Sequence, residues 1–120
     1  GSSSWYDRGF ITYTNASKQE MLGVQAQTLE QNGAVSEATV REMAVGVLKH
    51  SPADISLAIS GIAGPGGGSP DKPVGTVCFA WSIKNGPLKS EQRVFTGDRH
   101  AVRQQAVSHA LRGVLALLQL

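Results

Sequence analysis

One cysteine, Cys78, stands in 120 residues, which excludes a disulfide framework. It lies in an apolar run, where a thiol serves as a small core residue. The three histidines, His50, His100 and His109, share no metal-ligand spacing and have no cysteine or carboxylate cluster beside them. No metal site and no cofactor are expected. The net charge of +2 carries no basic run, which gives no reason to expect a nucleic-acid partner. No apolar stretch nears the roughly 20 residues that span a bilayer, so no membrane partner is expected. Nor does a charged region lead into an apolar one at the start, and a cytoplasmic chain is expected. The remaining composition, 41% hydrophobic and 17% charged, is that of one globular domain over residues 1–120 with a sizeable core.

What the chain does have is glycine concentrated in one place. Between Gly61 and Gly75 lie six glycines and three prolines, flanked by apolar strand-like runs. Glycine supplies unusual dihedrals or close approach, and proline fixes the chain between such points. A binding or catalytic loop is expected, with a plain surface hairpin loop as the competing reading. It is not a phosphate loop of the usual kinds. No Gly-Lys-Ser/Thr step opens a helix, and Ser69-Pro70-Asp71-Lys72-Pro73 follows where a dinucleotide loop would start one.

Around this loop the pattern is α/β. Phe10–Thr14 is β-branched and aromatic, which predicts a strand. Asn15 is placed to cap a short helix over Ala16–Leu22 that stops at Gly23. A second short helix covers about Ala26–Gln31. Ser36 caps a third, with Val40, Met43, Ala44, Val47 and Leu48 at helical spacing. Ile55–Ser60 carries small or apolar residues on both faces, as a central strand does. Thr76–Ile83 reads the same way, and Asn85-Gly86 signals a hairpin into Leu88–Phe95. The charged face of that last strand marks an edge. A long helix follows over about Asp98–Leu118, with Val107, Ala110, Leu111, Val114, Leu117 and Leu118 as its expected core face. The order predicts a three-layer α/β/α sandwich with a mixed sheet.

Three places could carry chemistry. Lys18 follows the first predicted strand, at the end where Tyr13 and Asn15 emerge; in a parallel pair that end lies beside Ser60 and the glycine loop. A lysine there acts as a base only if its pKa falls from about 10.4. Ser60 ends its strand with no histidine–aspartate pair evident to activate it. Arg99 and Arg103 sit one turn apart on the last helix, where they could hold an anion such as a phosphate monoester.

Seven ordered segments then form a pattern: Gly1-Ser-Ser-Ser-Trp-Tyr6, Tyr13-Thr-Asn-Ala-Ser-Lys18, Leu22-Gly-Val24, Gly33-Ala-Val-Ser36, Ser60-Gly-Ile-Ala-Gly-Pro65, Lys72-Pro-Val-Gly-Thr-Val77 and Gly97-Asp-Arg99. Together they resemble the CinA C-terminal domain family of nicotinamide-nucleotide amidases, from residue 1 to about residue 118. The resemblance implies a metal-free serine–lysine amidohydrolase, often a homodimer or fused behind a larger domain. Its substrate would be nicotinamide mononucleotide, hydrolysed to nicotinic acid mononucleotide and ammonia. Lys18 matches the family's lysine and Tyr13 a neighbouring catalytic position. Asn15, Ser60, Gly61, Ile62, Ala63, Gly64, Gly67, Arg99 and Arg103 are then expected on the substrate side. One departure matters: the family's Ser-Cys-Thr-Gly-Gly-like nucleophile segment occurs nowhere in these residues. The resemblance therefore implies an incomplete domain, short of a first strand and helix and inactive alone. The alternative is a non-catalytic nucleotide-binding or interaction module.

Overall fold

The computed structural model describes residues 1–119. Its elements follow in the order α1 (Asn15–Leu22), α2 (Ala26–Asn32), α3 (Glu37–Lys49), β1 (Ile55–Gly61), β2 (Thr76–Ile83), β3 (Leu88–Val94) and α4 (Arg99–Leu118). The strands form one sheet in the order β1-β2-β3. Helices α1–α3 cover one face, where Leu22, Leu29, Val40, Met43 and Ala44 pack on Ala58, Cys78 and Ala80. Helix α4 covers the other, where Val102, Ala106, Ala110 and Leu117 pack on Val77, Phe79 and Trp81. The α/β/α layering is as the pattern predicts. Period-2 alternation places each strand residue: Ser56 and Ala58 face α3, while Leu57 and Ile59 face α4.

The pairing differs from expectation. Both strand pairs are antiparallel, with Ile59 opposite Phe79 and Phe79 opposite Glu91, so the sheet of the described residues is not mixed. Phe10–Thr14 is not a strand. Its β-rich composition expresses a fit to a neighbouring pleated surface, and no described strand lies beside it. Phe10 packs into the α1–α3 cluster instead, while Ile11 and Tyr13 stay in solvent. With that partner absent, β1 becomes an edge strand, and the centre is β2, buried from Thr76 to Ser82.

Helix ends follow the local chemistry closely. Thr14, rather than Asn15, caps α1: its hydroxyl accepts from the Ser17 amide, and Ser17 returns a bond to the Thr14 amide. Gly23 closes the helix in the left-handed region at φ 71°. Ser36 caps α3 as predicted, and Asp98 caps α4. The Asn85-Gly86 turn is in place, with Asn85 at φ 57°.

Helix α4 departs most from its expected face. Val107, Leu111 and Leu118 are exposed together with Leu115, and the buried stripe is Val102, Ala106, Ala110 and Leu117. Both stripes have helical spacing, and only contact with the sheet selects between them.

Candidate active site

The capping box that starts α1 fixes where its first inward residue falls, and that residue is Lys18. It is 5% exposed and sits on a helix whose other buried side chain is Leu22. Its Nζ donates to the Thr12 carbonyl at 2.7 Å, and no carboxylate pairs with it among the described residues. Burial without a counter-charge disfavours the ammonium and holds the pKa below the ordinary 10.5. The sequence places a lysine here; it does not show that the lysine folds inward onto the backbone of residue 12.

Tyr13, beside that carbonyl, turns outward and is 89% exposed. Asn15 is exposed in the first turn of α1, and its carbonyl accepts from Gln19. Ser60 is half-buried opposite Cys78 on the sheet face that α1–α3 cover. The expected parallel pairing, which was to set Lys18 against Ser60, does not occur, and no hydrogen bond joins the two. They share a layer. Cys78 lies in that layer too, and burial pushes its thiol pKa up, offset in part by the nearby Lys72 ammonium.

The glycine loop leaves β1 at Gly61 and re-enters the sheet at Thr76. Its base is tied by Ile62 N–H to Thr76 O (2.9 Å) and Gly75 N–H to Ile62 O (2.7 Å). Gly75 has φ 99°, and a Cβ there would stand 2.1 Å from the Phe95 carbonyl oxygen, which is why the position is glycine. The loop folds back on Val74: Cβ atoms on Gly64 or Gly68 would meet it within 3 Å. Beyond that base, the backbone amides of Ala63, Gly64, Gly66, Gly67 and Gly68 have no acceptor among the described residues. Five donors are thus presented by one short stretch. Gly67 and Gly68, at φ 87° and 88°, hold the turn open, and Gly66 has nothing within 4 Å of where its Cβ would be.

Arg99 and Arg103 do come together with the loop. With Ile59, Gly61, Ala63, Val77, Val102 and Ala106 they line an open cavity of about 190 Å³ on the α4 side of the sheet. Arg99 donates to the Gly64 carbonyl at 3.0 Å. Ile62 and Gly67 belong to the loop but not to the cavity wall, and Lys18 does not reach it. The predicted residues therefore occupy both layers, joined by the loop at the sheet's end.

Sequence reasoning did not single out Lys72 for any contact. Its Nζ donates to the Asn32 carbonyl at 2.8 Å, reaching the last residue of α2. The signal was present in the Lys72–Val77 segment, read there only as pattern. A larger groove of about 450 Å³ runs between β3 and α4, lined by Trp81, Lys89, Glu91, Arg93, His109 and Arg112; none of the predicted site residues borders it. Among the described residues no group of three or more His, Cys, Asp or Glu side chains is arranged to hold a metal ion, and no helix is long and apolar enough to cross a membrane.

Comparison with known proteins adds independent findings. The model of the CinA C-terminal domain family matches residues 1–118. A nicotinamide-nucleotide amidohydrolase PncC from Enterobacter agglomerans is 56% identical over 115 residues, spanning 96% of this chain and 70% of that protein. The protein of the same name from Escherichia coli K12 is 54% identical over 112 residues, 93% of this chain and 68% of its own length. Among solved structures, the competence/damage inducible protein CihA from Agrobacterium tumefaciens superposes with TM-score 0.94 at 47% identity, over 98% of this chain and 72% of that one.

Proposed function

Because the chain belongs to the CinA C-terminal domain family, we propose that it is the lysine-and-loop part of a nicotinamide-nucleotide amidase. The reaction is hydrolysis of the carboxamide of nicotinamide mononucleotide, giving nicotinic acid mononucleotide and ammonia in the cytoplasm. The observation that carries this reading is the buried, unpaired Lys18 amine. General-base work needs a neutral amine near neutral pH, and burial moves Lys18 in that direction. The pyridinium charge of the substrate favours the neutral form further by like-charge proximity.

In this reading a serine Oγ attacks the carboxamide carbon while the Lys18 amine takes its proton. Lys18 then hands that proton to the departing nitrogen, which leaves as ammonia, and the serine keeps the acyl group. Water, deprotonated by Lys18, attacks the ester, and the proton returns to Oγ as the acid is released. Loop amides at Gly61 and Gly64 are the candidate donors to the tetrahedral oxyanion. Arg103, with Arg99, faces the phosphate from the α4 side. Tyr13, Asn15 and Ser60 border the substrate on the Lys18 side. The 120 residues hold no Ser-Cys-Thr-Gly-Gly-like segment, so the reading assigns the attacking hydroxyl to residues outside them. A homodimer belongs to the same reading. The outer edge of β1 has no strand partner among the described residues and suits pairing or strand exchange, and light scattering showing only monomer at high concentration counts against it.

The test is ammonia release from nicotinamide mononucleotide by this chain and by a version extended upstream. Turnover by the extended protein that drops at least about a thousandfold in Lys18→Ala supports the assignment, since triad-type groups act as a unit. No turnover in the extended protein, or none lost with Lys18→Ala, removes the amidase reading and leaves a nucleotide-binding module. Full turnover by the 120-residue chain alone shifts the nucleophile to Ser60.

A further inference from the structure

Two cations tie the glycine loop to opposite layers of the sandwich. Arg99, in the first turn of α4, donates to Gly64 O at 3.0 Å near the loop's outgoing end. Lys72, near its returning end, donates to Asn32 O at 2.8 Å and so grips the C-terminus of α2 on the other side of the sheet. We propose that Lys72 and Arg99 are positioning residues, a pair of tethers that fix the open-donor stretch Ala63–Gly68 over the end of the sheet. This rests on the proposed substrate role of that loop and assigns two residues that set its geometry.

The argument is one of connections. The loop's base is closed by three backbone bonds, those of Ile62, Gly75 and Thr76, all within the loop and its own strands. Those bonds determine its shape and leave its tilt against the helices free. The Lys72 and Arg99 contacts are the side-chain hydrogen bonds that join the loop to a helix among the described residues. Each carries a full charge to a carbonyl, the stronger kind of hydrogen bond. The Asn32 carbonyl is a helix-end group with no partner further along α2, so Lys72 also caps that helix. The anchor is itself braced. The next carbonyl, Gly33 O, accepts from both Ser36 Oγ (3.0 Å) and Thr39 Oγ1 (2.7 Å), which fixes the α2–α3 turn to α3. Ser69 meanwhile closes a local turn on Lys72 through Ser69 N–H to Lys72 O, with Lys72 N–H returning to Ser69 Oγ. Arg99 gives one N–H to the loop and keeps others for the small cavity, while Arg103 makes no hydrogen bond among the described residues.

Hydrogen–deuterium exchange of the 120-residue chain tests the tethers without any assumption about turnover. Lys72→Ala is expected to speed exchange of the hydrogen-bonded loop amides of Ser69, Lys72, Gly75 and Thr76 by about tenfold or more, with α3 amides unchanged, because local opening is governed by local contacts. Arg99→Ala is expected to do the same at Ile62, the bonded amide at the loop's outgoing end, and Lys72→Arg to restore protection. If both alanine variants exchange within about twofold of wild type in the loop, the tether proposal fails. If α3 exchanges as fast as the loop, Lys72 holds the fold together and is no positioning residue. In the extended protein the same variants are expected to raise KM for nicotinamide mononucleotide several-fold more than they lower kcat. Should that protein turn over nothing, the amidase reading falls, and the exchange result still decides the tethers.

Discussion

The two faces of the sheet are held by different physics. On the α1–α3 face, four buried polar side chains each donate to a backbone carbonyl: Lys18 to Thr12, Ser36 and Thr39 to Gly33, and Ser56 to Ala44. Directional bonds there specify one arrangement, because an unmade buried bond costs about 1–3 kcal/mol. On the α4 face the interior is aromatic. Phe79 and Trp81 stack at 5.7 Å, Phe95 and His109 meet Phe79 edge-on, and among the described residues the side-chain bonds between the sheet and α4 are Trp81 Nε1 to Ala110 O and the part-buried pair of His109 with Glu91. That face is specified by shape. Chemistry divides the same way, with a strained-pKa amine on the bonded face and exposed guanidinium groups on the shape-fitted one.

The largest expected effect lies on the shape-fitted face. Phe79→Ala removes the fully buried ring that Trp81, Phe95 and His109 all touch. It is expected to cost about 3–5 kcal/mol in urea unfolding. A loss below about 1 kcal/mol means the aromatic cluster collapses to fill the space, and shape is not what holds α4.

Next come two helix glycines, one per face. A Cβ on Gly46 of α3 would stand 1.9 Å from the Leu22 carbonyl oxygen, and one on Gly113 of α4 would stand 2.3 Å from the Trp81 ring. Alanine gains roughly 1 kcal/mol in helix propensity at either site, while forced overlap costs about 1–3 kcal/mol or more. At Gly46 the obstacle is backbone and α1 must move as a whole. At Gly113 it is the Trp81 indole, which borders the β3–α4 groove but can tilt toward it only by giving up its buried bond to Ala110 O. Gly46→Ala is therefore expected to lose about 3 kcal/mol and Gly113→Ala about 1–2. Equal losses by thermal unfolding remove the proposed difference between the faces.

Smaller again is a pH effect confined to the bonded face. The folded Lys18 releases its proton below the ordinary 10.5, so the unfolded chain binds more protons in between, and stability rises with pH through that window. Cys78 acts oppositely: its thiol is raised above 9.0, the unfolded thiol ionises first, and stability falls as pH passes that value. Each unit of displacement is worth about 1.4 kcal/mol. Lys18→Met is expected to abolish the rise and Cys78→Ala the fall. Stability curves of Lys18→Met and wild type that run parallel through the alkaline range rule out the burial account.

Much of this fold is written locally. Ser36, Gly23, Asn85-Gly86 and the alternation in Ile55–Ser60 each encode their structure in a few residues. The loop's importance is legible for the same reason, since its glycines answer local demands such as the close Phe95 carbonyl at Gly75. What the sequence does not show is set by partners far along the chain. Phe10–Thr14 has strand composition but no described neighbour to pair with, and it forms no strand. Lys72 and Asn32 are 40 positions apart, and nothing in either residue type announces that bond.

Helix α4 gives the finest comparison and the smallest effect. Its two apolar stripes, Val102–Ala106–Ala110–Leu117 and Val107–Leu111–Leu115–Leu118, are equally periodic, yet the first is buried and the second is exposed. Burial, not composition, carries the energy, because an exposed leucine has the same surroundings folded and unfolded. Leu111→Gln and Leu115→Gln are accordingly expected to change unfolding free energy by less than about 0.5 kcal/mol in the 120-residue chain, while Val102→Ala costs about 2. Denaturant melts of the three variants make the comparison. A loss above about 1 kcal/mol at Leu111 or Leu115 shows that the outer stripe is covered in solution. That outcome moves the helix from a one-sided layer to a two-sided one.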